Sequence, residues 1–317
     1  MTAGKKYISV FIPTFNGEKY IAESIDMILK QKLPKGYQLE LFIIDSGSRD
    51  KTVEIIKKNY LDKIKFMEIP NKDFGHGKTR QYAVNHAKGE YILFITQDAT
   101  PASENWLLNM IKPFELSPKV GCVFGRQIPR WDAVPTIKRE VATVFANFGP
   151  GGVVSLNIDS NNVFFSDVNS AVSRTAIQKV PFRDLPYAED QALARDMMAV
   201  GFVKAYAPDG AVNHSNEYTV REFAGRKFDE YLGLIRSVGY KPSASFAKLL
   251  FGWIKPTLSD YKWIIRDNQY GKRKKIKYFV LSIGYNFAVR LGEYRAAKFH
   301  GSEDKIKQFS QETKQKS

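Results

Sequence analysis

Apolar runs that do not alternate with polar residues recur through the first hundred positions. Each closes on a polar cluster. "YISVFIPTFNG" (7–17), "LELFIIDSGSRDKT" (39–52), "IKFMEIP" (64–70) and "EYILFITQD" (90–98) read as strands buried on both faces. Segments with helical spacing lie between them, at 18–31, 53–60 and 77–89, the second capped by Ser48 or Asp50. Strand–helix alternation of this kind builds a parallel α/β sheet with right-handed crossovers. In such a sheet, ligands bind outside the carboxyl ends of the strands.

After position 100 the pattern loosens. Helices are expected over "NWLLNMIKPFEL" and "TIKREVATVFANFG", a strand leaving the core over "VGCVFGRQIPR", and short strands within 151–174. A mixed-sheet half, suited to docking an acceptor, is the expectation there. From 219 onward the chain is helical and basic, with an apolar stripe of Phe246, Leu249, Leu250, Trp253 and Ile254 on one helix over 244–255. The polar last fifteen residues are expected to fray. The stretch after Lys275 is apolar but broken by Lys277, Asn286 and Arg290, too short to span a bilayer.

Charge separates the two parts. Of a net +15, residues 221–317 hold 21 Lys and Arg against 9 Asp and Glu. A basic tail implies an acidic partner, such as a membrane surface, a nucleic acid or a polyphosphate. The single cysteine, Cys122, excludes an intramolecular disulfide and a cysteine zinc cluster, and fits a reducing cytosol. The first six residues lack an apolar signal-peptide core.

Four strand ends put a defined set of groups at one sheet edge: Pro13, Thr14, Phe15 and Asn16; Asp45 and Ser46; the loop from His76 to Arg80; and Asp98. Asp45 suits hydrogen bonds from a base or ribose, and equally a turn. Gly75 and Gly77 open a helix whose N–H groups suit phosphate, or else a solvated loop. Asp98 can hold a divalent cation whose shell a diphosphate and water complete, or cap the next helix. Glu189 and Asp190 begin a helix, where its dipole favours them and where a general base for a sugar hydroxyl would also serve. His214, in the polar loop "VNHSNEY", is a neutral-imidazole candidate for the same cation.

The motifs "VFIPTFNGEKYIAESIDMIL", "LELFIIDSGSRDKT", "GKTRQYAVNHAKGEYILFITQDA" and "AEDQALARDMMAVGF", in this order, resemble the family 2 glycosyltransferases, inverting enzymes with the GT-A fold. The resemblance covers about residues 7–215. "FGHGKTR", "TQDA" and "GRQIPRWDA" are similar to bacterial rhamnosyltransferases that use dTDP-L-rhamnose for cell-surface polysaccharides.

The resemblance implies a GT-A catalytic domain over 1–218, with a Rossmann-like nucleotide-binding half and a mixed-sheet acceptor half. A basic amphipathic helical region over 219–317 would serve membrane association or a second subunit. It implies Asp190 as catalytic base with Glu189 beside it. Pro13, Thr14, Phe15 and Asp45 would hold the nucleoside, with His76 and Arg80 near the diphosphate. Asp98 and His214 would hold Mn or Mg, although the first acid of the family's Asp-x-Asp is Thr96 here. Arg126 and Trp131 would shape the sugar and acceptor pocket. The implied partners are dTDP-L-rhamnose, a lipid-diphosphate-linked saccharide and an anionic membrane, on its cytoplasmic face. Rival readings are a UDP-hexose or UDP-N-acetylhexosamine donor, and a non-catalytic nucleotide- or nucleic-acid-binding module. The charge segregation and the absence of a stacking or helix-turn-helix motif speak against nucleic acid.

Overall fold

The computed structural model describes residues 5–149, 154–157, 162, 164–215, 218–268 and 270–316. The chain divides into two compact units, one formed by 1–128 and 145–215, the other by 129–144 and 216–317.

In chain order the strands are β1 (Lys6–Thr14), β2 (Tyr37–Asp45), β3 (Lys65–Glu68), β4 (Tyr91–Ile95), β5 (Thr100–Pro101), β6 (Val120–Ile128), β7 (Ser155–Asn157), β8 (Asn169–Ser173) and β9 (Val203–Asn213). The helices are α1 (Ile21–Leu29), α2 (Thr52–Asn59), α3 (His76–His86), α4 (Trp106–Ile111), α5 (Pro113–Leu116), α6 (Pro135–Ala146), α7 (Arg174–Lys179) and α8 (Glu189–Ala199). They continue as α9 (Val220–Val238), α10 (Phe246–Phe251), α11 (Ile254–Arg266), α12 (Lys272–Phe299), α13 (Glu303–Phe309) and α14 (Gln311–Lys316).

The sheet of the first unit runs β3-β2-β1-β4-β8-β6-β9-β5, with β7 on β9. The pairs from β3 to β4 are all parallel. Beyond β4 the sheet is mixed, because β8 is antiparallel to both β4 and β6. Ile8, Val10, Ile12, Leu93 and Ile95 are fully buried and pack with Ile21, Ile25 and Ile28 of α1 in the largest core cluster. Each such side chain withdraws apolar area worth roughly 1.5–3 kcal/mol, which fixes the register of the strands that carry the polar edge.

Over 120–130, β6 lies inside the sheet between β8 and β9 and, as expected of a strand leaving the core, passes from buried at 120–125 to half-buried at 126–128. Several local expectations change. The helix after Asn105 divides at Pro113, which has no N–H to continue the ladder. The stripe over 244–255 is not one helix. Ser245 caps a short α10, and the chain turns at Gly252 and Trp253 before α11. The C-terminal residues do not fray as a whole: α13 and α14 form, and Asp229 of α9 accepts the Gln311 and Glu312 N–H groups at 2.8 and 2.9 Å. No helix among the described residues is long and apolar enough to cross a membrane.

Candidate active site

The loops after β1 and β2 are stitched together. Thr14 Oγ1 donates to Asp45 Oδ2 at 2.9 Å, and Ser48 Oγ donates to the same oxygen at 2.5 Å. The Gly47 and Ser48 N–H groups donate to Oδ1 at 3.0 and 2.9 Å. A carboxylate has about four acceptor sites, so the fully buried Asp45 is filled by its own turn together with Thr14 of β1. The geometry therefore makes Asp45 the organiser of this loop rather than an open acceptor for a base. Asn16, at φ 51°, receives the Arg49 N–H on Oδ1 at 2.8 Å, and Ser48 Oγ accepts the Asn16 N–H at 2.8 Å. Pro13 and Phe15 stay half-buried at the edge.

Gln97 contributes what its position in "TQD" did not suggest. Its Oε1 accepts the Phe15 N–H at 2.8 Å and its Nε2 donates to the Phe15 carbonyl at 2.8 Å. The side chain thus mimics a neighbouring strand and fixes the end of β1. A Cβ on Gly17 would stand 2.4 Å from Gln97 Oε1, so the contact needs glycine there.

Next to Gln97, Asp98 Oδ2 lies 3.4 Å from His214 Nε2, and His214 Nδ1 is 3.0 Å from Gln127 Oε1. Burial would raise the Asp98 pKa, but the charge and hydrogen bond of His214, with a hydrogen bond from Thr96, bring it down to about 2. Two ligands of one ion, each about 2.1 Å from it, stand roughly 3.0–3.4 Å apart in octahedral or tetrahedral geometry, so this acid–imidazole pair fits a shared divalent cation. No cluster of three or more His, Cys, Asp or Glu suited to a metal is present among the described residues. Phosphate oxygens would have to complete the shell.

The helix that begins at His76 has the 181–188 loop against its first turn. A Cβ on Gly77 would come within 1.9 Å of the Arg183 carbonyl, so glycine is needed because the 181–188 loop lies against α3. The Gly75 N–H already donates to Thr79 Oγ1 at 3.2 Å. His76 packs edge-on to Phe74 and Tyr187, with ring centroids 5.1 and 6.2 Å away.

Arg80 turns into a buried cluster of carboxylates. Its Nη1 donates to Glu189 Oε1 at 2.6 Å, and its Nε lies 2.9 Å from Asp167 Oδ2. The Asp167 N–H donates to Asp190 Oδ2 at 3.2 Å, and Ser170 Oγ donates to Asp167 Oδ1 at 2.6 Å. Arg80, Asp167 and Glu189 are each at most 5% exposed. One guanidinium faces three acids. Burial, with Glu189 adding repulsion against the pull of Arg80, pushes the Asp167 pKa up to about 6. Burial first, then Glu189 and Asp167, hold the Asp190 carboxyl well above the usual range, with Arg80 opposing. Ala188, just before this pair, sits in the left-handed region at φ 58°.

Sequence reasoning missed Asp167. It precedes β8, and because β8 is antiparallel to β4, the start of β8 lies beside the end of β4, with Asn169 opposite Ile95. An acid just before an antiparallel strand was the available signal. Arg126, near the end of β6, has a buried Nε with no hydrogen-bond partner among the described residues. Trp131, expected beside it, belongs to the second unit and is 70% exposed.

A parallel half, a mixed half and carboxylates gathered along one sheet edge define a GT-A glycosyltransferase. The mannosyltransferase PcManGT from Pyrobaculum calidifontis, solved with GDP-Man and Mn2+, has the same fold. Its TM-score is 0.56 at 18% identity, over 93% of this chain and 76% of its own. The chain belongs to glycosyl transferase family 2, whose profile matches residues 9–180. It is 33% identical over 230 residues to the O-antigen chain rhamnosyltransferase RfbN of Salmonella typhimurium, covering 70% of each chain. It is 31% identical over 198 residues to the O-antigen chain rhamnosyltransferase WbaN of Salmonella anatum, covering 60% of this chain and 61% of that one. The protein is therefore an enzyme that transfers a sugar.

Proposed function

We propose that this enzyme moves L-rhamnose from dTDP-β-L-rhamnose to a hydroxyl of a lipid-diphosphate-linked saccharide, with inversion, during surface-polysaccharide synthesis. The donor reading is supported by the two rhamnosyltransferase relatives. The chemical reading is carried by one observation, the carboxylate cluster around Asp190.

In this proposal Asp190 takes the proton of the acceptor hydroxyl as its oxygen attacks C1 of the sugar. The C1–O bond to the diphosphate breaks on the opposite face. A base is most effective when its pKa nears the working pH. The neighbouring acids Glu189 and Asp167 raise the proton affinity of Asp190, and Arg80 keeps the cluster from neutralising fully. Arg80 is thus a positioning residue, not a phosphate ligand. Arg126, with its unpartnered Nε, is the better candidate to face the sugar or diphosphate. Asp98 and His214 would hold Mn2+ or Mg2+, which when bound offsets the charge of the leaving diphosphate. Pro13, Thr14 and Phe15, held by Asp45 and Gln97, would form the nucleoside wall.

The acceptor class implies work at the cytoplasmic face of the plasma membrane. The test offers purified enzyme dTDP-L-rhamnose, UDP-glucose and UDP-N-acetylglucosamine, each with Mn2+ or EDTA, beside Asp190→Asn. Nucleotide release from the rhamnose donor alone, lost in Asp190→Asn, is expected. Turnover of a UDP-sugar in its place overturns the donor assignment and leaves the chemistry standing.

A further inference from the structure

Helices α11 and α12 bury polar groups beside apolar ones such as Ile264, Tyr285 and Ala288, and leave further apolar residues exposed. The buried positions of α12 include Ser282, Asn286 and Glu293, while its exposed positions include Ile276, Val280, Ile283 and Phe287. Those four stand at i, i+4, i+7 and i+11, one continuous stripe on a helix. Ile276 and Val280 are 65% and 66% exposed. In α11 the buried set includes Thr257 and Asp260, and the exposed set includes Ile254, Leu258, Trp263 and Ile265.

The orientation is fixed by hydrogen bonds, so the apolar faces have no freedom to turn inward. Asp260 is fully buried and accepts from Thr136 Oγ1 at 2.7 Å, from Asn286 Nδ2 at 2.6 Å and from Arg139 Nε. Rotating either helix would strand that carboxylate without partners, a cost of several kcal/mol. Two adjacent helices with Ile, Val, Leu and Phe left outside present a surface that water does not favour.

The rim of this surface selects its occupant. Between residues 246 and 290 there are ten Lys and Arg and two acids. One acid is Asp260, and the other, Asp267, lies 3.5 Å from Lys138 Nζ. Lys255, Lys262, Lys272, Arg273, Lys274 and Lys277 are exposed beside the stripes. A second copy of the chain, meeting this face about a two-fold axis, would set cation against cation. An anionic lipid leaflet meets the apolar stripe with acyl chains and the rim with headgroups. Where Phe287 ends the stripe, it also lines a groove of about 550 Å³ with Leu291, Phe309, Arg221, Arg295 and Lys314, again apolar with a basic margin.

We infer that the exposed apolar stripes of α11 and α12, with their basic rim, dock this enzyme on an anionic bilayer surface. This replaces the stripe over 244–255, which the turn at Gly252 interrupts, as the membrane-facing element. The inference rests on the proposed lipid-linked acceptor for its purpose and not for its test.

The test is co-sedimentation of the full-length protein with vesicles of phosphatidylcholine alone and of an equal mixture with phosphatidylglycerol. The wild type is expected to partition onto the anionic vesicles and not the neutral ones. Ile276→Ser with Val280→Ser is expected to lower partitioning at least about tenfold. Lys272→Glu with Lys274→Glu is expected to lower it about tenfold or more and to weaken its salt dependence. Both pairs lie on the surface, and both are expected to keep wild-type nucleotide release from the donor without vesicles. Equal vesicle binding by wild type and variants overturns the inference. So does absence of binding by an active wild type, or a solution dimer that Ile276→Ser with Val280→Ser dissolves. Vesicle binding without any turnover of dTDP-rhamnose leaves the docking face standing and removes the donor assignment.

Discussion

Arg80 Nη1 and Glu189 Oε1 are 2.6 Å apart, in a site where both side chains are almost wholly withdrawn from water. The partners are 109 residues apart in sequence, and they tie α3 to the first turn of α8, where Asp190 stands. The arginine therefore belongs to the proposed machinery of the base. Its charge faces Asp167, Glu189 and Asp190 together.

Removing that charge is expected to be costly. Arg80→Met leaves Asp167, Glu189 and Asp190 without the guanidinium they share, and breaking a buried ion pair from one side costs roughly 3–5 kcal/mol. Arg80→Lys keeps the charge but cannot reach two acids with a planar fork, so an intermediate loss is expected. Thermal or urea unfolding measures both. Arg80→Met combined with Glu189→Met is expected to recover part of the stability while transfer stays low. A double variant no more stable than Arg80→Met alone would show that the pair is not the source of the loss.

The acid neighbours of Asp190 are expected to set the pH profile of transfer. Asp190→Asn is expected to lower kcat by roughly 10²–10⁴-fold, the usual contribution of a general base. Asp167→Asn deletes a negative charge that raises the Asp190 pKa. The acid limb of kcat/KM should therefore move to lower pH. A residue that merely supports the fold would lower the whole profile without moving its limb, so the limb position is the diagnostic reading.

The same cluster makes stability depend on pH, with a definite sign. Asp167 has a folded pKa near 6 against an ordinary value of 3.8, so the folded state holds the proton more tightly. Stability from this group is greatest at low pH and falls as pH rises from about 4 through 6. The stability of Asp167→Asn relative to wild type should rise across that window by about 3 kcal/mol. Denaturant titrations at pH 4, 5, 6 and 7 give the difference directly. A difference that is flat across them would mean that folding does not raise the Asp167 pKa.

The sheet half with parallel strands was legible because buried-on-both-faces strands leave an unmistakable composition, and their ends must carry the polar groups. Asp45 and Asp98 came from that logic, while Glu189 and Asp190 came from the acidic start of a helix. What sequence could not give is the direction in which a side chain turns. Arg80 follows a glycine-rich turn in either reading, and only the close approach of Arg183 to Gly77 shows that the turn is filled by the chain itself. Asp167 escaped because it precedes a strand, and an acid before a strand marks the same edge only when that strand runs antiparallel to its neighbour. The exposed stripe of α12 escaped for a related reason. Periodicity finds apolar residues, but not which of them stay outside once the buried face also holds Asn286, bonded to Asp260.

Gln97 offers the last test, because it joins the cation pair to the nucleoside wall through two hydrogen bonds to one residue. Both go to the backbone of Phe15, at 2.8 Å each. A neutral hydrogen bond contributes about 1 kcal/mol net. Gln97→Ala should therefore destabilise the fold by roughly 1–2 kcal/mol and free the end of β1. Since that end is the proposed nucleoside wall, the donor KM is expected to rise about tenfold, with kcat changing less. Gln97→Glu keeps the acceptor for the Phe15 N–H but turns the donor into a second acceptor facing the Phe15 carbonyl, so it should be no better than alanine. Gly17→Ala reaches the same contact from the other side: its Cβ would sit 2.4 Å from Gln97 Oε1. It should raise the donor KM in wild type and do so much less in Gln97→Ala. Additive effects of the two substitutions would show that Gly17 acts independently of Gln97.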